Sequence, residues 1–305
     1  MLHIVRVLAP NPSPYTLEGT NTWIVGAAAT ASDAPGKPSP TGAAVVVIDP
    51  GPDDPAHLDE IARAAGSQVA AVLVTHDHPD HAPGAAAFAA RVEAPLYAFR
   101  LPGAEHLRDG QEVRADGVSL LAVHTPGHTS DHMAFHVTAE GALFTGDAVL
   151  GRGTSFIDPP DGDLAQYLRS LARMQDLAPR TIYPGHGPVV LRAGAKLQEY
   201  VAHRAEREQQ IVDALTHGPR TIADLVAEIY AAYPPDVHEL AARSVLAHLL
   251  KLSAEGRATS EGRGDDARWQ GIAPRECERC GRPTNARGRY CRSCSLILLQ
   301  EGSGS

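Results

Sequence analysis

The chain has 305 residues, a formal net charge of -9, 43% hydrophobic and 21% charged residues, the profile of a globular protein rather than a disordered or fibrous one. No stretch reaches the roughly 18 apolar residues that a membrane-spanning helix needs. The negative balance argues against wrapping nucleic acid by bulk charge, although it leaves room for a local basic groove.

The opening residues MLHIVRVLAPNPSPYT hold no apolar signal core, so a cytoplasmic location without a membrane partner is expected. Apolar runs at 22–26 and 43–48 read as strands. Between them lies AAATASDAPGKPSPTG at 27–42, small, polar and rich in Pro and Gly, which reads as a flexible surface loop. A helical pattern covers 57–65, a buried-strand run 69–74, a helix 83–92 and a strand 96–99. Further strands are expected at 118–124, 133–137, 142–144 and 181–183, with a helix at 163–175. Strands alternating with helices predict an α/β sandwich with sheets inside and helices outside, over about residues 1–200.

A long helix is expected at 193–215, then helices at 221–230 and 237–254 and a hairpin pairing 257–260 with 267–272. Three helices and a hairpin are the order of a winged helix, placed at 201–273. This α+β segment leans acidic, with a net charge of -3 over 207–268. That points to oligomerisation or substrate shaping more than to reading DNA, and leaves a homo-oligomer open. Residues 274–305 form a tail that contains all four cysteines of the chain.

The chemistry concentrates in THDHPDHAPG, residues 75–84. A stiff apolar strand ends there, and the following loop projects His76, His78, Asp80 and His81. Five ionisable side chains within six residues need a cation to organise them, and neutral imidazole and carboxylate are good Zn²⁺ donors. Four ligands cannot fill two metal spheres, and more candidates follow later strands: His128 in HTPGHTSDHMAF, Asp147 in ALFTGDAV and His186 in TIYPGHGP. Glycines beside His128 and His186 allow close backbone approach.

These residues resemble the metallo-β-lactamase fold superfamily, with its αββα sandwich, over most of residues 1–200. The segments EGTNTWIVG, HTPGHTSDHM, GDAVLGRGTS and YPGHGPVV are similar to those of the beta-lactamase-like protein 2 family, which includes an endoribonuclease and carries a winged-helix-like domain. The resemblance implies that His76, His78 and His128 bind one zinc, that Asp80, His81 and His186 bind a second, and that Asp147 bridges them. A water between two such ions loses its proton near neutral pH and becomes the nucleophile. Asp80 is then also a catalytic candidate, orienting that water or relaying its proton. His132, four residues after His128, is a second catalytic candidate, expected either to contact substrate or to stand behind the ligands. Asp49 is expected behind a ligand imidazole. Substrate-side candidates are Asn21, Thr22, Thr129, Arg152 and Thr154.

The resemblance narrows the chemistry. Di-iron redox members usually carry an acid where this chain has His78, and true β-lactamases lack the bridging aspartate that Asp147 supplies. Endonucleolytic cleavage of single-stranded RNA leads. Thioester hydrolysis like that of the glyoxalase II branch is the alternative, and a nucleic-acid-binding regulator with an inactive hydrolase body is a third. Manganese or iron could occupy the same ligands.

In the tail, CERCGRPTNARGRYCRSC places Cys277 and Cys280, then Cys291 and Cys294. Two Cys-x-x-Cys knuckles resemble a small zinc ribbon with one Zn²⁺. Residues 274–305 have a net charge of +3, and their arginines lie near Tyr290, a combination able to contact a phosphate backbone and stack on a base. Residues 296–300, LILLQ, form an apolar patch suited to docking.

Overall fold

The computed structural model describes residues 2–28, 43–66, 68–234, 237–262, 264–273, 275–281 and 283–284. Most of the 27–42 loop, Cys291, Cys294, Tyr290 and the 296–300 patch lie outside the described residues. The chain divides into two compact units, Met1–Phe156 with Pro160–Ala202, and Ile157–Pro159 with His203–Ser305.

The first unit is a mixed α/β sandwich of two sheets. One sheet runs in the order β1 (Leu2–Leu8), β2 (Asn21–Ala27), β3 (Val45–Ile48), β4 (Val69–Leu73), β5 (Leu96–Ala98) and β6 (Glu105–His106). The helices α1 (Pro55–Ala65) and α2 (Ala85–Arg91) connect its parallel strands. The second sheet takes β7 (Glu112–Ala115), β8 (Val118–His124), β9 (Met133–Val137), β10 (Ala142–Gly146) and β11 (Thr181–Pro184) in sequence order, with α3 (Leu164–Asp176) crossing from β10 to its parallel partner β11.

Strand periodicity builds both cores. Successive side chains on a strand face opposite ways. On β3, Val45 and Val47 join Ile61 and Phe88 on the helix side of the first sheet. Val46 and Ile48 face Leu120, Phe135 and Phe144 between the sheets. On β4 the same alternation sends Val72 to the helices and Ala71 and Leu73 to the inter-sheet core. A strand buried on both faces therefore reads as a continuous apolar run. Asp54 caps α1, its carboxylate accepting from the backbone N–H of Ala56 and His57 at 2.9 and 3.1 Å.

The α4 helix (Ala193–Leu215) runs from the first unit into the second. There, α5 (Ile222–Ile229) opens on a capping box between Thr221 and Asp224. It is followed by α6 (His238–Ala254) and a hairpin of β12 (Ala258–Glu261) and β13 (Arg268–Gly271). Ile211, Leu225, Val245, Leu249 and Trp269 form its core. This is the winged-helix order expected. A two-residue hairpin follows, β14 (Arg275–Glu276) with β15 (Pro283–Thr284). Among the described residues no helix is long and apolar enough to cross a membrane.

Three strands of the first unit go beyond the elements read from the sequence. The β1 strand alternates around polar His3 and Arg6. The β6 strand has two exposed residues, and β7 buries Val113 alone. None offers an apolar run.

Candidate metal centre

The centre gathers where β3, β4, β10 and β11 end and where the loops before β2 and after β8 meet them. Asp49, just after β3, adopts a left-handed backbone with φ of 52°, a conformation costly for a non-glycine residue. Three donors hold it there: the Thr75 N–H at 2.7 Å, the Thr75 hydroxyl at 2.8 Å and His81 Nδ1 at 2.8 Å. The loop after β4 is tied to the second sheet by the Met133 N–H, which donates to the Thr75 carbonyl at 2.7 Å.

Seven side chains converge. His76 Nε2 lies 2.9 Å from His78 Nδ1, which lies 3.2 Å from His128 Nε2. In a second trio, His186 Nε2 is 3.1 Å from Asp80 Oδ2 and 3.3 Å from His81 Nε2. Asp147 joins the two. Its Oδ1 is 3.4 Å from His81 Nε2 and 3.3 Å from His186 Nε2, while its Oδ2 is 3.8 Å from His128 Nε2. Donors around a tetrahedral ion at bonds of roughly 2.0–2.1 Å stand about 3.3 Å apart. The observed separations, from 2.9 to 3.8 Å, scatter around that edge.

Four of the five rings are also held from behind, as metal-binding imidazoles commonly are. The Thr75 hydroxyl spends its hydrogen on Asp49, so its oxygen accepts from His76 Nδ1 at 2.9 Å. His81 Nδ1 donates to Asp49, His128 Nδ1 to the Phe156 carbonyl at 2.6 Å, and His186 Nδ1 to the Gly19 carbonyl at 3.2 Å. All four rings thus turn Nε2 inward, and His78 turns Nδ1 inward. Thr20 steadies Asp80, its hydroxyl donating to Oδ2 at 3.3 Å, and Asn11 braces Thr20 through two hydrogen bonds.

The electrostatics divide the cluster. Burial pushes His76 well below the usual histidine range and lowers His78, so both rings stay neutral donors. Burial also opposes charge on His81 and His186, but Asp147 and the other carboxylates outweigh it. They raise His81 and push His186 up to about 9. Burial likewise opposes the charge on Asp80 and Asp147, yet the neighbouring imidazoles hold both below the usual carboxylate range. Asp147 Oδ1 is buried and makes no hydrogen bond among the described residues. Two ionised carboxylates, one with an orphaned oxygen, among inward-facing imidazole nitrogens are a donor set suited to divalent cations, which would displace the protons on His81 and His186.

His132 does not reach this face of the cluster. It is fully buried, Nδ1 pairs with Thr125 Oγ1 at 2.8 Å, and Nε2 accepts from the Asp147 N–H at 3.2 Å. Both ring nitrogens are spent, so of the two roles expected for His132 contact with substrate is corrected, and the ring stands behind the ligands and positions Asp147. Asn21 and Thr22 are corrected likewise. The Asn21 amide donates to the Pro184 and Gly187 carbonyls, and the Thr22 hydroxyl to the Asp49 carbonyl, so both are buried clamps. Thr129 is buried, Thr154 is exposed, and exposed Arg152 pairs with Glu18 at 2.8 Å. Thr20 and Asn11 are site residues beyond the sequence candidates. Thr20 lies inside the EGTNTWIVG segment, which was a signal for it, whereas nothing marks Asn11. Cys277 and Cys280 belong to the second unit, and the seven clustered side chains to the first.

Comparison with known proteins gives the family. Residues 41–186 match the metallo-beta-lactamase superfamily, and residues 221–269 match the beta-lactamase associated winged helix domain. The chain belongs to the metallo-beta-lactamase superfamily of hydrolases, as a member that carries the associated winged helix. It is 33% identical over 268 residues to a beta-lactamase-like protein 2 homologue of Caenorhabditis elegans, covering 83% of this chain and 85% of that one. It is also 33% identical over 282 residues to an atrochrysone carboxyl ACP thioesterase of Aspergillus chevalieri, covering 87% and 86%. A solved beta-lactamase domain protein from Burkholderia ambifaria shares the fold, with a TM-score of 0.73 at 23% identity over 89% of this chain and 91% of that one.

Proposed function

We propose that the chain is a two-metal hydrolase that cleaves an acyl thioester. The observation that carries the two-metal part is Asp147, whose two oxygens face different trios of donors. Zinc fits the donor set. His76, His78 and His128 would hold one ion, Asp80, His81 and His186 the other, with Asp147 shared. Such ions supply polarisation of a carbonyl and a water that ionises near neutral pH. The assembled donors speak against a regulator with an inactive hydrolase body.

The protein's own groups then bear on the leaving group. Asp80 is the more open of the two carboxylates, its side chain 23% exposed against 13% for Asp147. Held ionised and steered by Thr20, it can accept a hydrogen bond from the attacking water. After five histidines are assigned as ligands, His132 is the remaining ring beside the cluster, and its nitrogens are engaged. No histidine there is left to protonate a leaving group. A thiol ionises at about 8.5 and departs as thiolate without such help, whereas a ribose alkoxide is a poorer leaving group that must be protonated or held by a metal.

The loops that carry the ligands also bear Asp77, Asp131 and Asp161. Asp131 and Asp161 accept from the backbone N–H of Asp77 and Ser130, and Arg152 is paired with Glu18. A polyanion is poorly served by that rim. The relative named as a thioesterase supports the same reading.

Cleavage of single-stranded RNA is the second reading. The likeness to the beta-lactamase-like protein 2 homologue and the net +3 of residues 274–305 favour it. The test offers zinc-loaded protein S-acyl glutathione and S-acyl N-acetylcysteamine, with released thiol as readout, beside end-labelled single-stranded RNA. The His78→Ala/Asp80→Ala double variant is the control. Thiol release at least about a thousandfold above the variant is expected, with RNA intact. Cut RNA and intact thioesters would replace the first reading with the second.

A further inference from the structure

We propose that Tyr15 and Phe156 form an aromatic wall at the mouth of the metal centre, which seats the acyl group of the thioester and sets the preferred chain length. The inference rests on the thioesterase reading above. The two rings come from loops that hold opposite halves of the donor cluster. Tyr15 stands in the loop before β2, whose Gly19 carbonyl accepts from His186 Nδ1 and whose Thr20 hydroxyl donates to Asp80 Oδ2. Phe156 belongs to the loop after β10, and its own carbonyl accepts from His128 Nδ1. The rings meet edge to face, with centroids 6.5 Å apart and planes at 64°, a geometry that aromatic pairs favour. The same loops meet again at the Arg152–Glu18 ion pair. The ring contact thus joins the segment behind the second trio to the segment behind the first. Asp80, the more open of the two carboxylates, is hydrogen-bonded by the loop that bears Tyr15, so the pair borders the open side of the centre.

Tyr15 is exposed without being loose. It is 60% exposed and follows Pro10, Pro12 and Pro14, each of which fixes its own φ. The Ser13 hydroxyl oxygen accepts from the N–H groups of Tyr15 and Thr16, both at 3.1 Å, and the Thr16 hydroxyl donates to the Asn11 carbonyl at 2.5 Å. A ring presented on so braced a turn loses little freedom when a ligand covers it. The chemistry of the mouth selects which end of the substrate that is. A thioester has an apolar acyl end and a thiol arm that, in glutathione or a cysteamine carrier, bears amide N–H groups. The carboxylates of Asp131 and Asp161 each accept a backbone N–H and keep lone pairs for an amide of the arm. An apolar chain gains nothing against those charges and gains by covering the rings.

The test measures binding by calorimetry on the full zinc-loaded chain. The probes are ketone analogues of S-acetyl and S-hexanoyl N-acetylcysteamine in which a methylene replaces the sulfur. They cannot be cleaved, so the wall is read separately from the chemistry. The wild type is expected to bind the hexanoyl analogue about tenfold more tightly than the acetyl analogue. Tyr15→Ala should cut that preference to about twofold or less with bound metal unchanged, and Tyr15→Phe, which keeps the ring, should restore it. The two thioesters themselves should show the same loss, in KM more than in kcat. Equal affinities in the wild type, binding too weak to measure, or a preference that survives Tyr15→Ala overturns the proposal. So does Tyr15-dependent tightening when the N-acyl end is lengthened instead, which would assign the rings to the leaving group. Chain-length-dependent binding with neither thioester cleaved would retain the wall and overturn the thioesterase reading alone.

Discussion

His81 Nδ1 lies 2.8 Å from Asp49 Oδ2, and neither side chain is more than 2% exposed. Asp49 spends its remaining capacity on Thr75, the residue before His76. One carboxylate thus aims two candidate ligands, His81 directly and His76 through the Thr75 hydroxyl. The Asp49→Asn substitution keeps the shape but sets an amide N–H against one of three donors. Affinity for the metal held by the second trio is expected to fall about 10–100-fold. Titration against a competing chelator measures it, and unchanged affinity would remove Asp49 from the account.

Gly185 is the residue before His186, and a Cβ there would stand 2.5 Å from Asp147 Oδ1 and 2.8 Å from His81 Cε1. Neither atom has room to yield in a packed interior. Gly185→Ala is expected to displace the shared carboxylate and to cost the protein at least one bound metal with the fold retained. Gly194→Ala, where nothing lies within 4 Å, should bind metal as the wild type does. Metal analysis of the two purified variants separates them, and equal content would contradict the bridging role.

The ligand loop was legible because its donors are adjacent in sequence and follow an apolar strand. His128, Asp147 and His186 were legible because each also follows a strand, and the two histidines stand beside glycine. What holds the ligands was mostly hidden. Thr20 reaches Asp80 across 60 residues, with Asn11 behind Thr20, and no local pattern carries a contact of that range. Asn21 and Thr22 misled for the same reason: their partners, the Pro184, Gly187 and Asp49 carbonyls, are backbone groups invisible to side-chain spacing. The long helix and the buried strands were readable from periodicity, while β6 and β7 form by pairing with neighbours rather than by apolar content.

His132 supplies a test of positioning against chemistry. Its Nε2 takes the Asp147 N–H and its Nδ1 meets Thr125. His132→Ala leaves both partners buried and unsatisfied and opens a cavity, a loss of roughly 2–4 kcal/mol in stability. Turnover should fall because Asp147 shifts, while the limbs of the pH–rate profile stay where they are. Loss of a limb with stability intact would restore His132 as an acid or base.

Glu208 makes the second unit sensitive to acid. Burial opposes its charge, yet His248, Lys251 and Arg257 outweigh burial and pull it down to about 2, with Lys251 Nζ at 2.7 Å. Its folded value lies below the ordinary glutamate value, so the ionised form stabilises the fold. That contribution is complete above the unfolded value of about 4.3 and is lost as pH falls toward 2. It amounts to roughly 2–3 kcal/mol. Glu208→Gln should lower the melting temperature at pH 7, and the gap to wild type should close between pH 4 and pH 2. A gap that does not change with pH would show that the carboxylate charge contributes nothing.

In the proposed centre Asp147 shares two ions between the two trios. The most direct measurement is native mass spectrometry of the zinc-loaded chain in which all four cysteines are replaced by serine, so that only the His/Asp donors contribute. Two bound metals per chain are predicted, falling to one or none in the same chain with Asp147→Ala. A single metal before that substitution, or two retained after it, would contradict the shared-carboxylate centre.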